Sequence, residues 1–272
     1  MFGRHVFIVG VARSGTTVLY RLLARHSKLA WLSPFSLRDG TLPFLSYIPG
    51  ARQWDRIGHR HIPPVWSKNT HATLWVKVVS RLCPTPVEGN SHWEYVFPGL
   101  ANDSYPGEDH GTRDRLRHLV NATLSEQKKE RFLAKYPCLT RVTGELSTFF
   151  PNAQFIHIVR DGRAVVKSGA DRHVEKFGEP LSERIGEWIR YWQKEMALLS
   201  ESQELLGEAR LKLVRYEDLC RDVPGTLHSL FSWLDLEPES LNLPPYIPCT
   251  NHRQLSKVSS AEWDQMLPHL KC

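Results

Sequence analysis

Glycine, arginine and hydroxyl residues near the start of the chain have the types and spacing of an anion-binding loop. The apolar run Val6–Val9 leads into a turn that opens at Gly10 and closes at Gly15, and a helical apolar pattern follows. This order is typical of a strand, a phosphate loop and a helix. Loop N–H groups and the positive end of the helix dipole attract an anion. The alternative is a glycine turn that serves packing alone.

The loop departs from the nucleotide-triphosphatase pattern G-x-x-x-x-G-K-[ST] at one informative position. Gly10, Gly15 and Thr17 fit the pattern, but Thr16 stands where the lysine that contacts the β- and γ-phosphates is expected. A cation is present inside the loop instead, as Arg13. The sequence therefore predicts a loop that binds a phosphorylated nucleotide but is poorly equipped to activate a γ-phosphoryl group, which disfavours a phosphate-loop kinase.

A second block of residues repeats the strand-and-turn arrangement. The apolar run Gln154–Val159 is followed by Arg160, a short polar turn and a helical pattern that contains Ser168. Strand–helix units of one sheet place their turns at the same edge, so this turn is expected beside the first loop. A guanidinium suits a phosphate because its planar fork donates parallel hydrogen bonds. The alternative for Arg160 is a structural ion pair with Asp161.

Both blocks resemble segments of the sulfotransferases that use 3′-phosphoadenosine-5′-phosphosulfate (PAPS). Residues 13–17 resemble the 5′-phosphosulfate loop of that family. Residues 155–168 resemble its 3′-phosphate-binding segment, and the spacing from Arg160 to Ser168 matches as well. The resemblance implies PAPS as the sulfuryl donor and a nucleotide that is held at both of its anionic ends.

Two weaker similarities lie toward the end of the chain. Residues 215–219 resemble a strand-end motif of the family, and residues 255–257 are similar to a C-terminal nucleotide contact of the tyrosylprotein sulfotransferases. Together the four segments resemble the bacterial and tyrosylprotein-like group more than the cytosolic small-phenol enzymes. The resemblance implies that the nucleotide is bound by Arg13, Ser14, Gly15, Thr16, Thr17, Arg160, Ser168, Tyr216, Ser256 and Lys257.

Cations are expected to supply most of the catalysis. Sulfuryl transfer places negative charge on the bridging oxygen of the leaving adenosine 3′,5′-bisphosphate, and Arg13 is one cation that could stabilise it. Lys135 resembles the lysine that stabilises the transition state in tyrosylprotein sulfotransferases; the alternative is an ordinary surface lysine. The sulfuryl group carries less charge than a phosphoryl group, so no metal is expected. His59 and His61 lack a nearby cysteine or carboxylate to complete a metal site.

The general base is harder to assign, because the acceptor must lose a proton to a glutamate or histidine within hydrogen-bonding distance. In the tyrosylprotein branch a glutamate follows the second strand, but here no carboxylate occurs in that region before Asp39. This departure removes the residue that the resemblance would supply. We predict Glu88 as the substitute and His92 as the second candidate. The alternative for both is a polar loop residue without a catalytic role.

The elements that must position these residues form an α/β pattern. Strands are predicted at residues 6–9, 29–33, 131–135, 154–159 and 211–215, and helices at residues 140–149, 164–171 and 181–200 among others. We predict a single sulfotransferase domain over residues 1–272, with a P-loop-like three-layer fold and a central parallel sheet of about five strands flanked by helices.

One long segment, residues 34–110, interrupts this pattern. Its prolines break every helical or strand period, and tryptophans recur at positions 54, 66, 75 and 93. We predict an irregular excursion on the acceptor side, where amphipathic rings would line the acceptor pocket. The alternative is that these rings pack the excursion onto the body of the protein.

Composition limits the remaining function classes. The chain has 272 residues, 41% of them apolar, and a net charge of +6, which suits an anionic cofactor or acidic substrate. Neither a clustered basic patch nor a recognition motif for nucleic acid is evident. Five cysteines without a C-x-x-C pair predict reduced thiols. No leader precedes the first strand and no apolar run reaches about 18 residues, so we expect a cytoplasmic protein without a membrane span; the alternative is a protein from which a leader has been removed.

The sequence predicts a hydroxyl acceptor, or less favourably an amine, on a small molecule, a glycan or a peptide. It leaves the oligomeric state open. Two alternatives remain: a phosphate-loop nucleotide kinase, and a non-catalytic relative that binds PAPS or its product, which the missing base keeps under consideration.

Overall fold

The structure, a computed structural model, describes residues 3–32, 86, 88–178, 180–241, 243–256, 258–266 and 268–270. One parallel sheet runs through them, with the order β2-β3-β1-β4-β5. Its strands are β1 (Val6–Val9), β2 (Leu29–Trp31), β3 (Arg131–Lys135), β4 (Gln154–Val159) and β5 (Leu211–Arg215). The predicted parallel sheet of about five strands is confirmed.

β1 lies at the centre of the sheet and positions the loop that follows it. All four of its residues are buried, as expected for a parallel strand that is covered on both faces. Ile8 is in register with Lys135 of β3, and Val9 with His157 of β4. Since β2 and β3 lie on one side of β1 and β4 and β5 on the other, its carboxyl end is the switch point where open α/β sheets bind ligands.

Helices cover both faces of the sheet. They are α1 (Thr16–Leu23), α2 (Asn90–Val96), α3 (Thr112–Gln127), α4 (Thr143–Phe149), α5 (Gly162–Phe177), α6 (Leu181–Arg210), α7 (Tyr216–Arg221), α8 (Val223–Trp233), α9 (Asn251–Leu255) and α10 (Ser260–Met266). One apolar core joins the sheet to α1, α7 and α8, and a second joins it to α2, α3, α4 and α6. The predicted three-layer arrangement is therefore confirmed.

Three helices differ from their predicted bounds. The helix predicted at residues 140–149 begins as a 3-10 helix, Pro137–Val142, and becomes α-helical at Thr143. α5 continues to Phe177 instead of ending near residue 171, because Gly178 is the first residue to adopt a left-handed conformation, with φ 70°. α6 is longer than the predicted 181–200, and its only non-helical residue is Gly207.

The segment predicted to be irregular lies largely outside the described residues, which exclude 33–85 and 87. The part that is described contains a regular helix, α2, so irregularity is wrong for residues 90–96. Trp93 and Val96 are fully buried in the second core, together with Phe97 just after the helix. This burial explains why a helix forms there despite the surrounding prolines, and it makes Trp93 a core residue.

The cysteines at positions 138, 220 and 249 are free thiols, as predicted, while those at positions 83 and 272 lie outside the described residues. In the described part of the chain, no helix combines the length and the apolar character that a membrane crossing requires.

Candidate active site

The loop between β1 and α1 has the backbone of an anion cradle. Gly10 and Gly15 have φ angles of 135° and 92°. A Cβ atom at Gly10 would lie 2.6 Å from the backbone oxygen of Ile158, and one at Gly15 would lie 2.4 Å from the Tyr216 ring, so both positions require glycine. Arg13 also adopts a left-handed conformation, with φ 73°. Such a conformation in a non-glycine residue is a strain that clusters at functional sites.

Two side-chain hydroxyl groups accept hydrogen bonds from the backbone of the first half of the loop. The Gly10 N–H donates to Thr140 Oγ1 at 3.2 Å, and the Ala12 N–H donates to the Tyr191 hydroxyl at 3.3 Å. These donors are therefore engaged by the protein itself. The Ser14 N–H is also engaged, since it donates to the Val11 carbonyl at 3.2 Å. The N–H groups in the first turn of α1 have no acceptor within the helix, so this turn, which begins at Thr16, is the part that presents donors to a ligand.

Ser14 carries a polar atom that the protein leaves unsatisfied. Its side chain is 1% exposed, and its Oγ atom has no hydrogen-bond partner among the described residues. A buried hydroxyl without a protein partner is uncommon, and its capacity to donate and accept is available to a bound group. The Ser14 hydroxyl would donate a hydrogen bond to an anionic oxygen in the loop, so Ser14 fits a phosphate-like group.

Lys135, Glu88 and Thr17 form one polar cluster at the carboxyl end of β3. The Lys135 ammonium donates to Thr17 Oγ1 at 3.0 Å and forms an ion pair with Glu88, and the Thr17 hydroxyl donates to Glu88 at 3.3 Å. The side chain of Lys135 is 2% exposed, whereas that of Glu88 is 38% exposed. Burial lowers the pKa of Lys135, and the nearby carboxylate opposes this shift. The alternative of an ordinary surface lysine is therefore wrong.

Arg13 lies among other cations. Its Nε donates to Ser168 Oγ at 3.2 Å, which joins the loop to α5. Burial lowers the pKa of Arg13, and the positive charges of Arg160 and Arg172 lower it further. A bound anion would relieve this repulsion.

Arg160 is held at the end of β4 by neutral oxygen atoms. It donates from Nη1 to the Arg13 carbonyl at 2.8 Å, from Nε to Asn251 Oδ1 at 2.7 Å and from Nη2 to Thr250 Oγ1 at 3.1 Å. Its guanidinium carbon lies 4.6 Å from the centroid of the Tyr216 ring.

The alternative of an ion pair between Arg160 and Asp161 is wrong. Asp161 pairs with Arg163 at 2.6 Å, and its carboxylate caps α5 by accepting from the Arg163 N–H at 2.9 Å. The Asp161 carboxylate is thereby used locally, so Arg160 is oriented by other residues.

A cavity of about 310 Å³ opens between these groups. Most of the predicted site residues line it: Arg13, Gly15, Thr16, Thr17, Glu88, Lys135, Arg160 and Tyr216. The structure therefore brings together residues from both ends of the chain at the switch point of the sheet. In the described ranges no three histidine, cysteine, aspartate or glutamate side chains form a metal site; His59 and His61 lie outside those ranges.

Among the residues that the structure describes, four predicted ones do not line the cavity: Ser14, Ser168, His92 and Ser256. Ser168 contacts it through Arg13, as described above. His92 lies on α2, where its Nδ1 is 3.3 Å from Ser91 Oγ. Ser256 is exposed in the turn after α9, and Lys257 lies outside the described residues.

The sequence analysis missed the residues that orient the cations and the loop. Thr140 and Tyr191 support the loop, while Thr250 and Asn251 hold Arg160. The Asn251 amide also donates to Glu217 at 2.6 Å, which fixes its orientation. Isolated hydroxyl and amide residues have no diagnostic spacing. The one available signal was the Thr-Asn pair at the start of a short helix, a typical capping composition.

Comparison with known proteins agrees with this arrangement. Residues 5–240 match a family model described as "Sulfotransferase family". An omega-hydroxy-beta-dihydromenaquinone-9 sulfotransferase of Mycobacterium bovis is 27% identical over 263 residues, which covers 88% of this chain and 64% of that protein. A protein-tyrosine sulfotransferase of Drosophila melanogaster is 28% identical over 145 residues, which covers 50% of this chain and 28% of that protein. The chain thus spans less than two-thirds of the length of these curated relatives.

The fold also resembles that of a sulfotransferase of known structure. The crystal structure of sulfotransferase STF1 from Mycobacterium tuberculosis H37Rv superposes with a TM-score of 0.64 at 17% identity, and the match covers 100% of this chain and 76% of that one.

Proposed function

The chain belongs to the sulfotransferase family, and we propose that it transfers a sulfuryl group from PAPS to an acceptor hydroxyl and releases adenosine 3′,5′-bisphosphate. One observation carries this proposal. A loop for one anionic group and a guanidinium for another line the same cavity, with a buried lysine beside the loop. A donor with anionic groups at its 5′ and 3′ ends fits that arrangement of charges.

The residues fit such a donor in three respects. The buried Ser14 hydroxyl has no hydrogen-bond partner among the described residues, and the glycines of the loop leave room for a close approach. Arg13, Lys135 and Arg160 supply positive charge to the cavity, and Lys135 and Arg160 lie at the ends of strands on opposite sides of β1. We assign the loop residues 13–17 to the 5′-phosphosulfate and Arg160 with Ser168 to the 3′-phosphate; PAPS supplies the sulfuryl group when it is bound.

The chemistry assigns a separate role to each charged side chain. Lys135 and Arg13 stabilise the negative charge that forms on the bridging oxygen as the bond between that oxygen and sulfur breaks. Glu88 accepts the proton that the acceptor hydroxyl loses as its oxygen forms a bond to sulfur. The Thr17 hydroxyl lies between the two groups and orients both of them. No step requires a metal ion.

A hydroxyl acceptor is favoured over an amine. The names of the two relatives specify an omega-hydroxy-menaquinone and a protein tyrosine as acceptors, and each carries a hydroxyl group. The acceptor class, a small molecule, a glycan or a peptide, stays a prediction. The cytoplasmic location, the single domain and the absence of nucleic-acid partners stay predictions as well.

Calorimetry with three nucleotides tests donor binding without knowledge of the acceptor. We expect adenosine 3′,5′-bisphosphate to bind at least about tenfold more tightly than adenosine 5′-monophosphate, because hydrogen bonds to a charged group contribute about 1.5–3 kcal/mol. ATP with Mg²⁺ serves as the control for a kinase. Tighter binding of ATP with Mg²⁺ than of the bisphosphate would overturn the proposal.

Transfer itself is tested with PAPS that carries radiolabelled sulfate. The acceptors are an isoprenoid alcohol, a phenol, a saccharide and a tyrosine peptide, each incubated with the protein and separated from the donor. We expect label in one hydroxyl acceptor. Binding of the bisphosphate without transfer to any acceptor would favour a non-catalytic relative.

A further inference from the structure

Two cysteines lie directly behind the residues that hold Arg160. Cys220 is on α7 and 2% exposed, and Cys249 is exposed in the segment before α9. Both line a second cavity of about 370 Å³, which is separate from the one that contains the loop. Nothing in the sulfuryl-transfer chemistry uses either thiol.

Backbone contacts bring the two cysteines together. The Ile247 N–H donates to the Cys220 carbonyl at 2.8 Å, and the Val223 N–H donates to the Pro245 carbonyl at 3.2 Å. These bonds fix the segment that contains Cys249 against the carboxyl end of α7. Both side chains therefore lie on the wall of the same cavity of about 370 Å³.

Each cysteine is also connected to a residue of the candidate active site. Cys249 precedes Thr250 and Asn251, the two residues whose side chains accept hydrogen bonds from Arg160. On the other element, Tyr216 lies one helical turn before Cys220, and its hydroxyl is 3.3 Å from Thr250 Oγ1. A bond between the cysteines would therefore tie together the two segments that surround Arg160.

We propose that Cys220 and Cys249 form a reversible disulfide that fixes Thr250 and Asn251 against Arg160 and thereby strengthens binding of the 3′-phosphorylated nucleotide. The bond itself does not depend on the proposed function, whereas its effect on the nucleotide does. Fixing a binding segment in its bound arrangement increases affinity because less conformational freedom is lost on binding.

The oxidation requires a small-molecule disulfide as oxidant, such as glutathione disulfide. The exposed Cys249 attacks it as the thiolate and forms a mixed disulfide, with release of one glutathione thiolate. Cys220 then attacks the Cys249 sulfur, which forms the protein disulfide and releases the second glutathione. Two protein thiols lose two electrons, one oxidant molecule becomes two thiols, and the two cysteine protons pass to the released thiolates.

The second step is expected to be slow and to accelerate with pH. Burial raises the pKa of Cys220 to about 11, so few of these groups are thiolates near neutral pH. The backbone bonds that hold the two segments together compensate in part, because they raise the effective concentration of one thiol at the other.

Peptide mapping tests the bond in the ligand-free, full-length chain. The protein is equilibrated in glutathione buffers from reducing to oxidising, trapped with an alkylating reagent and digested without reduction. We expect one cross-linked product that joins the peptides of Cys220 and Cys249, and an increase in melting temperature of about 5 °C or more. Loss of the product in Cys249→Ala, an exposed position where folding is not at risk, and its retention in the control Cys138→Ser are both expected.

The effect on the site is measured as the affinity for adenosine 3′,5′-bisphosphate in the two redox states. We expect the oxidised protein to bind about three- to tenfold more tightly than the reduced one, and Cys249→Ala to show the same affinity in both buffers. A product that joins other cysteines, or glutathione retained on Cys249 alone, would overturn the disulfide. Equal affinities, or no binding in either state, would overturn its coupling to the nucleotide, and only the second of these also contradicts the proposed function.

Discussion

The two ends of the cavity hold their cations in opposite ways. Lys135 is buried and forms an ion pair with a carboxylate, Glu88. Arg160 donates to a backbone carbonyl, an amide oxygen and a hydroxyl, and it lies over the Tyr216 ring. In the part of the chain that the structure describes, no carboxylate forms an ion pair with Arg160. The positive charge is thus compensated at one end and left uncompensated at the other.

Under the proposed function, this difference distinguishes a reacting end of the cavity, at Lys135, where sulfuryl transfer takes place, from a holding end, at Arg160, which binds the 3′-phosphate. A guanidinium oriented by neutral acceptors keeps its full charge for a phosphate, and it needs no partner to be displaced before a ligand binds. A buried ammonium that is paired with a carboxylate depends on that partner, because neutralising either group leaves the other as an uncompensated buried charge. We therefore expect substitutions near Lys135 to affect turnover and substitutions near Arg160 to affect binding.

The largest expected effect is that of Glu88→Gln. The amide cannot accept the acceptor's proton, so we expect kcat to fall by about 10² to 10⁴ and the affinity for adenosine 3′,5′-bisphosphate to remain within about threefold. Initial rates of sulfate transfer measure the first and calorimetry the second. His92→Ala is the matched comparison on the neighbouring helix. Full activity of Glu88→Gln together with an inactive His92→Ala would make His92 the base.

Lys135→Ala tests the same end through its cation. We expect kcat to fall by about 10² to 10³, as when a preorganised electrostatic donor is removed, because the bridging oxygen then lacks its stabilising charge. Lys194→Ala is the control, since Lys194 also pairs with a carboxylate, that of Asp103, but at the exposed surface. A Lys135 variant that binds nucleotide weakly yet turns over at the normal rate would break the distinction between the two ends.

Arg160→Ala tests the holding end. We expect the dissociation constant of adenosine 3′,5′-bisphosphate to rise by about 10- to 100-fold, because charge-assisted hydrogen bonds to the 3′-phosphate are lost. At saturating PAPS, kcat should stay within about threefold of the original. The exposed Arg221→Ala is the control, and unchanged affinity in Arg160→Ala would contradict the assignment.

The pH dependence of kcat should differ from the pH dependence of bisphosphate affinity. Since burial lowers the pKa of Lys135, the ammonium that catalysis needs is present below that lowered value and is lost as the pH rises through it. We expect kcat to fall about tenfold per pH unit above it, while bisphosphate affinity, which depends on guanidinium groups, changes far less. Parallel pH profiles of kcat and affinity measure this. Coincident profiles would indicate that one group controls both.

The smallest effect on nucleotide affinity is expected from the residue that accepts a hydrogen bond from the loop backbone, Thr140. Thr140→Val removes the acceptor of the Gly10 N–H, and a lost hydrogen bond of about 1 kcal/mol corresponds to a roughly fivefold weaker affinity for the bisphosphate. Thr140→Ser should restore the affinity, because it retains the hydroxyl. Equal affinity of the two variants, measured by calorimetry, would mean that the contact with the loop has no influence on binding.

Much of the fold was predictable because its signals are local. The five strands and the loop residues 10–17 follow from short runs of the sequence, and so do Arg160 and its spacing to Ser168. α2 was missed because its residues form a helix through burial of Trp93 and Val96 in a core assembled from distant segments. Thr140 and Tyr191 were missed for a related reason, since they contact the loop across 130 and 179 residues.

The sequence alone predicted which residues bind the donor. Glycines at fixed spacing after an apolar strand specify the loop's backbone, and a strand-end arginine predicts a phosphate ligand. Only the tertiary structure decided what each cation faces. Lys135 and Glu88 are 47 residues apart and Arg160 and Asn251 are 91 residues apart, so their pairing depends on the packing of the sheet. Burial and charge compensation, which distinguish the reacting end from the holding end, are properties of that packing.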